Sequence, residues 1–79
     1  MFWNYRIIKH DKKKPVFFAV HEVFYNDKGN VENWTADPID ISGETKKELI
    51  AVLGRMTEDL KQPVLIETEL LVVKDRVKH

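Results

Sequence analysis

From Phe2 onward the chain alternates, with Trp3, Tyr5 and Ile7 set against Asn4, Arg6 and Ile8, the period of a half-buried strand rather than of a helix. The pattern predicts a first strand over residues 2–9. The following "KHDKKKP" is polar, rich in lysine and closed by Pro15, which cannot donate to a ladder, so it predicts a loop that includes His10. From Val16 to Tyr25 both parities are apolar: Val16, Phe18, Val20 and Phe24 on one side, Phe17, Ala19, Val23 and Tyr25 on the other. Such a strand is central and covered on both faces.

"NDKGN" places Gly29 where a three-residue hairpin loop needs a left-handed residue, so Asn26 is expected to face Asn30. A third strand follows from Val31 to about Ala36, and Pro38 ends regular pairing. "TKKE" is a capping box at Thr45 and Glu48. The helix that it starts carries an apolar stripe of Leu49, Val52, Leu53, Met56 and Leu60 and stops before Pro63. Gly54 within it suggests close approach to the sheet. "VLIE" reads as a fourth strand, and the remaining "TELLVVKDRVKH" fits a strand or a short helix equally well. The expected fold is α+β: a three-stranded antiparallel meander, one helix packed on one face, then a fourth strand. Residues 1–67 form the expected domain and 68–79 a C-terminal extension.

Composition narrows the function. A chain of 79 residues buries only roughly 60% of the surface that its unfolded form exposes, and with no cysteine neither a disulfide nor a thiolate zinc site can reinforce it. Thirteen basic residues balance thirteen acidic ones, so no overall field draws the chain to nucleic acid or to an anionic membrane. The start "MFWNYRIIKH" lacks a signal-peptide pattern, and no apolar run is long enough to span a bilayer; a cytoplasmic location is expected.

The candidate chemistry centres on His21 and Glu22. Adjacent strand residues point to opposite faces, so the two cannot act together on one substrate or metal. Extending the hairpin register sets Glu22 against Trp34 and His21 against Thr35; a trial register for the first strand adds Trp3 beside Glu22 and Asn4 beside His21. Glu22 is then a candidate buried acid between two indoles. Asn4, Arg6, His21, Tyr25 and Thr35 are the candidate surface or binding residues. A hydrogen-bonded strand histidine and an indole-bonded carboxylate are the commoner readings of His21 and Glu22. His10 and His79 have no zinc-site spacing, and no metal or cofactor is expected. Lys12 to Lys14 reads as a solvated loop more often than as a phosphate contact, and Trp3 and Trp34 as core more often than as base-stacking platforms.

Together, "WNYRII", "HEVFYNDKGNVENWT", "DPI", "GET" and "KQPVL" resemble a family of small bacterial single-domain proteins, over Trp3 to about Leu65. That resemblance implies no activity, ligand or active-site residue. The order of elements and the "GET" that opens the helix are similar to HicB-type antitoxin domains, which implies a protein partner. The expected function is therefore a non-enzymatic binding module. The alternative is a small hydrolase-like or RNA-binding protein that uses the sheet face around His21, Arg6 and Asn4. Because a single helix covers one face, Phe17, Ala19, Val23 and Tyr25 need another layer; the tail from Thr68 to Val77 is one candidate, but a homodimer built on the face that carries Phe17 and Val23, or on an edge strand beside it, is expected to supply it.

Overall fold

A computed structural model describes residues 2–77, with side chains described as far as Val72. The elements are β1 (Phe2–His10), β2 (Phe17–Tyr25), β3 (Val31–Trp34), α1 (Lys46–Asp59), β4 (Leu65–Ile66) and α2 (Glu67–Val77). The fold is α+β, with strand order β3-β2-β1-β4. β1, β2 and β3 form the expected antiparallel meander, but β4 lies parallel to β1, so the sheet is mixed.

The hairpin between β2 and β3 follows from its sequence. Asn26 N–H donates to Asn30 O at 2.9 Å, and Gly29 has a φ of 82°. Asn26 Oδ1 accepts from the amides of Lys28 and Asn30 at 2.9 and 3.1 Å, an Asx turn that fixes the loop. A register shift then follows, because Tyr25 pairs with Val31 whereas Phe24 pairs with Asn33, leaving Glu32 as an extra residue. A bulge of one residue turns every later side chain of β3 to the other face. Trp34 consequently stands opposite Val23 and not opposite Glu22.

β1 pairs with β2 two residues away from the trial register: Tyr5 faces Glu22, Arg6 faces His21 and Trp3 faces Phe24. The division of faces is as expected, with Trp3, Tyr5 and Ile7 on the side of Phe18 and Val20. The opposite face carries Phe2, Asn4, Arg6, Ile8 and His10 with Phe17, His21, Val23 and Tyr25.

α1 begins as its capping box dictates, with Thr45 Oγ1 accepting from Glu48 N–H at 3.1 Å, while the Glu48 carboxylate reaches back to the Glu44 amide at 3.0 Å. The helix lies on the Trp3 and Tyr5 face. Met56 is buried, and the Arg55 guanidinium sits 3.8 Å from the centre of the Trp3 ring. Leu53, expected in the buried stripe, is exposed. Gly54 does not mark close approach, since a Cβ placed there would meet nothing within 4 Å.

The tail supplies the second layer. α2 packs against β1, β3 and β4, and its Leu70 joins Ile8, Val23 and Tyr25 in the core, with Val31, Trp34 and Leu65 against them. Val23 is 0% exposed, so the face expected to dimerise at Phe17 and Val23 is closed at Val23 by the chain itself. Covering a face from within one chain avoids the loss of translational and rotational freedom that a second molecule incurs.

Candidate functional site

The face beneath α2 collects most of the polar side chains singled out above, and divides them into two hydrogen-bonded groups. In the first, Arg6 Nη1 donates to Tyr25 Oη at 2.9 Å, Tyr25 Oη donates to Asn4 Oδ1 at 2.8 Å, and Arg6 Nη2 donates to the Pro63 carbonyl at 2.6 Å. These contacts tie the ends of β1 and β2 to the segment that leads into β4. Tyr25 is buried, and so is Arg6 Nε, whose N–H finds no acceptor among the described residues.

The second group contains His21, which is 0% exposed. Its Nδ1 lies 2.9 Å from the Thr35 carbonyl and 3.2 Å from the Thr35 hydroxyl, and its Nε2 lies 2.9 Å from His10 Nε2. His10 Nδ1 lies 2.7 Å from Glu67 Oε2. A continuous chain thus runs from Thr35, just past the end of β3, through β2 and β1 to the first residue of α2. Phe17 stacks on the outer face of the His10 ring, with centroids 4.6 Å apart. Small Ala19, between Phe17 and His21 on the same strand face, leaves room for the two imidazoles to lean together.

Electrostatics follow from this placement. The hydrogen bond from His10 holds the Glu67 carboxyl below its ordinary range, aided by the Lys12 amide and the nearby Lys13 charge. Burial holds His21 below the ordinary imidazole value, and the neighbouring His10 adds to that effect. Beside the chain, Asp11 accepts from both the amide and the hydroxyl of Thr68, at 3.2 and 2.8 Å, and so caps the first turn of α2.

The expected neighbours are met in part. The His21 ring reaches Thr35, but not as its cross-strand partner, since the bulge sets Thr35 against Glu22, whose carbonyl accepts the Thr35 N–H at 3.1 Å; Asn4 and Arg6 belong to the other group. His21 and Tyr25 are buried and do not form a surface. Glu22 is half-buried opposite Tyr5, and the bulge in β3 has carried the Trp34 indole to the opposite face, so the Glu22 carboxylate does not lie between two indoles. His10, assigned to a loop by sequence, is the last residue of β1, and Glu67 was not singled out at all. One signal was present: extending β1 by one residue puts His10 on the strand face of Arg6, the face that His21 shares across the pair. His79 lies outside the described residues.

Among the described residues no group of three His, Cys, Asp or Glu side chains is placed to hold a metal ion. The Lys12 to Lys14 run is exposed. Among the described residues no helix is long and apolar enough to cross a membrane. What the buried chain can do is hold and redistribute protons between the enclosed His21, the nearly enclosed His10 and the half-buried Glu67. No family model, curated protein or solved structure matches this chain.

Proposed function

We propose that the chain is a non-enzymatic interaction module that pairs with a second copy of itself through the sheet face that α1 leaves uncovered. The observation that carries this reading is the position of α1. Among the described residues its backbone comes close to β1 and to no other strand, so the part of that face formed by β2 extends beyond the helix. Phe18 on that part is 60% exposed, with half-buried Val20 and Phe24 along the same face. Ile39 N–H donates to Val20 O at 3.1 Å, so the segment after β3 continues along the edge of β2.

The occupant follows from charge. Lys9 pairs with Phe18 and Glu22 with Tyr5 on this same face, so opposite charges stand on either side of the Val20 row. A two-fold axis through that row sets Lys9 of one copy towards Glu22 of the other, the self-complementarity that an isologous contact requires. A net charge of zero adds no repulsion between copies.

The enclosure of His21, and the separate hydrogen-bonded group that holds Arg6 and Asn4, favour this reading over a catalytic one around those three residues. Sedimentation equilibrium at micromolar concentration tests self-association. The unmodified chain is expected at dimer mass and the F18E variant at monomer mass with unchanged circular dichroism; a monomer mass for the unmodified chain overturns the reading.

A further inference from the structure

The donors and acceptors of the buried chain limit how many protons it can hold. A carbonyl oxygen can only accept, so in one arrangement His21 Nδ1–H donates to Thr35 O and its bare Nε2 accepts from His10 Nε2–H. His10 Nδ1–H then donates to the Glu67 carboxylate, and the two rings together carry one extra proton. With both rings neutral and His21 Nε2–H donating to His10 Nε2, the bare His21 Nδ1 would face the Thr35 carbonyl oxygen at 2.9 Å, acceptor against acceptor, with only the Thr35 hydroxyl at 3.2 Å able to donate to it. The chain therefore satisfies all of its short contacts with one extra proton.

It fails with two. Two imidazolium rings would set N–H against N–H, and charge against charge, at the 2.9 Å that separates the Nε2 atoms. Glu67 can offset one charge by direct contact, Asp37 acts on His21 through space, and Arg6 stands opposite His21 in the β1–β2 pairing. Lys12 and Lys13 lie on the Glu67 side, where they favour the carboxylate; Asp11 is engaged by Thr68. A metal ion in place of the shared proton is disfavoured by distance. Two ring nitrogens each about 2.0–2.1 Å from a tetrahedral zinc stand roughly 3.3 Å apart, and the enclosed His21 leaves no place for waters to complete the shell.

We propose that Glu67, His10, His21 and Thr35 form an acid-opened clasp: a second proton on the two histidines parts their rings and loosens α2 from the sheet while the β1–β2 hairpin stays paired. The clasp joins α2 at its first residue, and the layer beneath it holds Leu70 against Ile8, Val23 and Tyr25. Opening the clasp bares that apolar face, separate from the one around Phe18. The direction follows from burial. His21 resists its second proton when enclosed, so stability linked to it is fully present above its ordinary value of 6.5 and is lost as pH falls below that value.

Hydrogen exchange read by NMR on the full chain, with the ring nitrogens followed in the same samples, tests this. The protection factors of α2 amides are expected to fall about tenfold per pH unit as His21 takes up its proton, the slope of a one-proton linkage, while β1 and β2 amides keep theirs. E67Q, which keeps a neutral hydrogen-bond partner but removes the offsetting charge, is expected to move the opening to higher pH. The proposal is overturned if α2 and β1–β2 amides lose protection together, or if α2 protection is independent of pH across the His21 titration. Stoichiometric zinc uptake that shifts both Nε2 resonances at neutral pH also overturns it. Dimer formation through Phe18 has no bearing on these readouts, so the two readings fail separately.

Discussion

Asp59 Oδ2 accepts the backbone N–H of Tyr5 at 3.0 Å, so the last turn of α1 is fastened to β1 by a carboxylate and not by apolar contact alone. Arg55, one turn earlier, approaches the same Asp59 oxygen at 3.8 Å while lying over the Trp3 ring. D59A leaves a partly buried backbone donor unmet and is expected to lower stability by about 1–3 kcal/mol. R55A removes a more exposed cation–π contact and is expected to lower it by about 0.5–1 kcal/mol. Urea midpoints rank the two; a larger effect at Arg55 would show that ring stacking, and not the Asp59 bond, holds α1 in place.

Leu70 is 5% exposed in the cluster with Ile8, Val23 and Tyr25, whereas Leu53 of α1 is 41% exposed. L70A is therefore expected to cost about 2–5 kcal/mol, a large part of the stability of so small a domain. L53A in the monomer is expected to stay within about 0.5 kcal/mol of the parent. Sequence periodicity places both leucines in apolar runs, and denaturation of the two variants separates them.

The hydrogen bond from the Thr68 hydroxyl is the largest influence that holds the Asp11 carboxyl below its ordinary value of 3.8. A lowered carboxyl contributes stability above that value and loses it as pH falls through the lowered one. In T68V the Asp11 carboxyl is expected to titrate closer to 3.8, read by carbon NMR of the carboxyl resonance. An unmoved titration would assign the effect to the Thr68 amide or to the Lys9 charge instead.

Local rules made the hairpin at Gly29, the capping box at Thr45 and the strands legible, because each depends on residues a few positions apart. The β1–β2 register was not legible, since nothing local fixes it across the polar loop from Asp11 to Pro15. The bulge at Glu32 carries no glycine or proline to announce it, yet it decides which face Trp34 joins. The buried chain depends on both the register and the role of the tail. His10 and Glu67 are 57 residues apart and meet only because β4 runs parallel to β1 and α2 folds back over the sheet. The two-sided apolar pattern of β2 did show that a second layer was needed. Deciding which segment supplied it required knowing where Leu70 points.

Two glycines give opposite predictions for the same substitution. Gly29 has a φ of +82° with nothing within 4 Å of an added Cβ, so G29A meets no clash but strains the backbone. It is expected to lose about 1–2 kcal/mol, the penalty that an L side chain carries in the left-handed region. Gly54 lies in mid-helix in ordinary helical geometry, exposed and with the space around its Cβ open. G54A removes the entropic penalty of glycine in a helix and is expected to gain about 0.5–1 kcal/mol. Thermal unfolding of both variants at low concentration, where a dimer would dissociate, measures the chain by itself. If G54A gains there but loses its advantage as concentration rises, another surface must seat against α1 at Gly54, and the self-association face would extend over the helix as well as across β2.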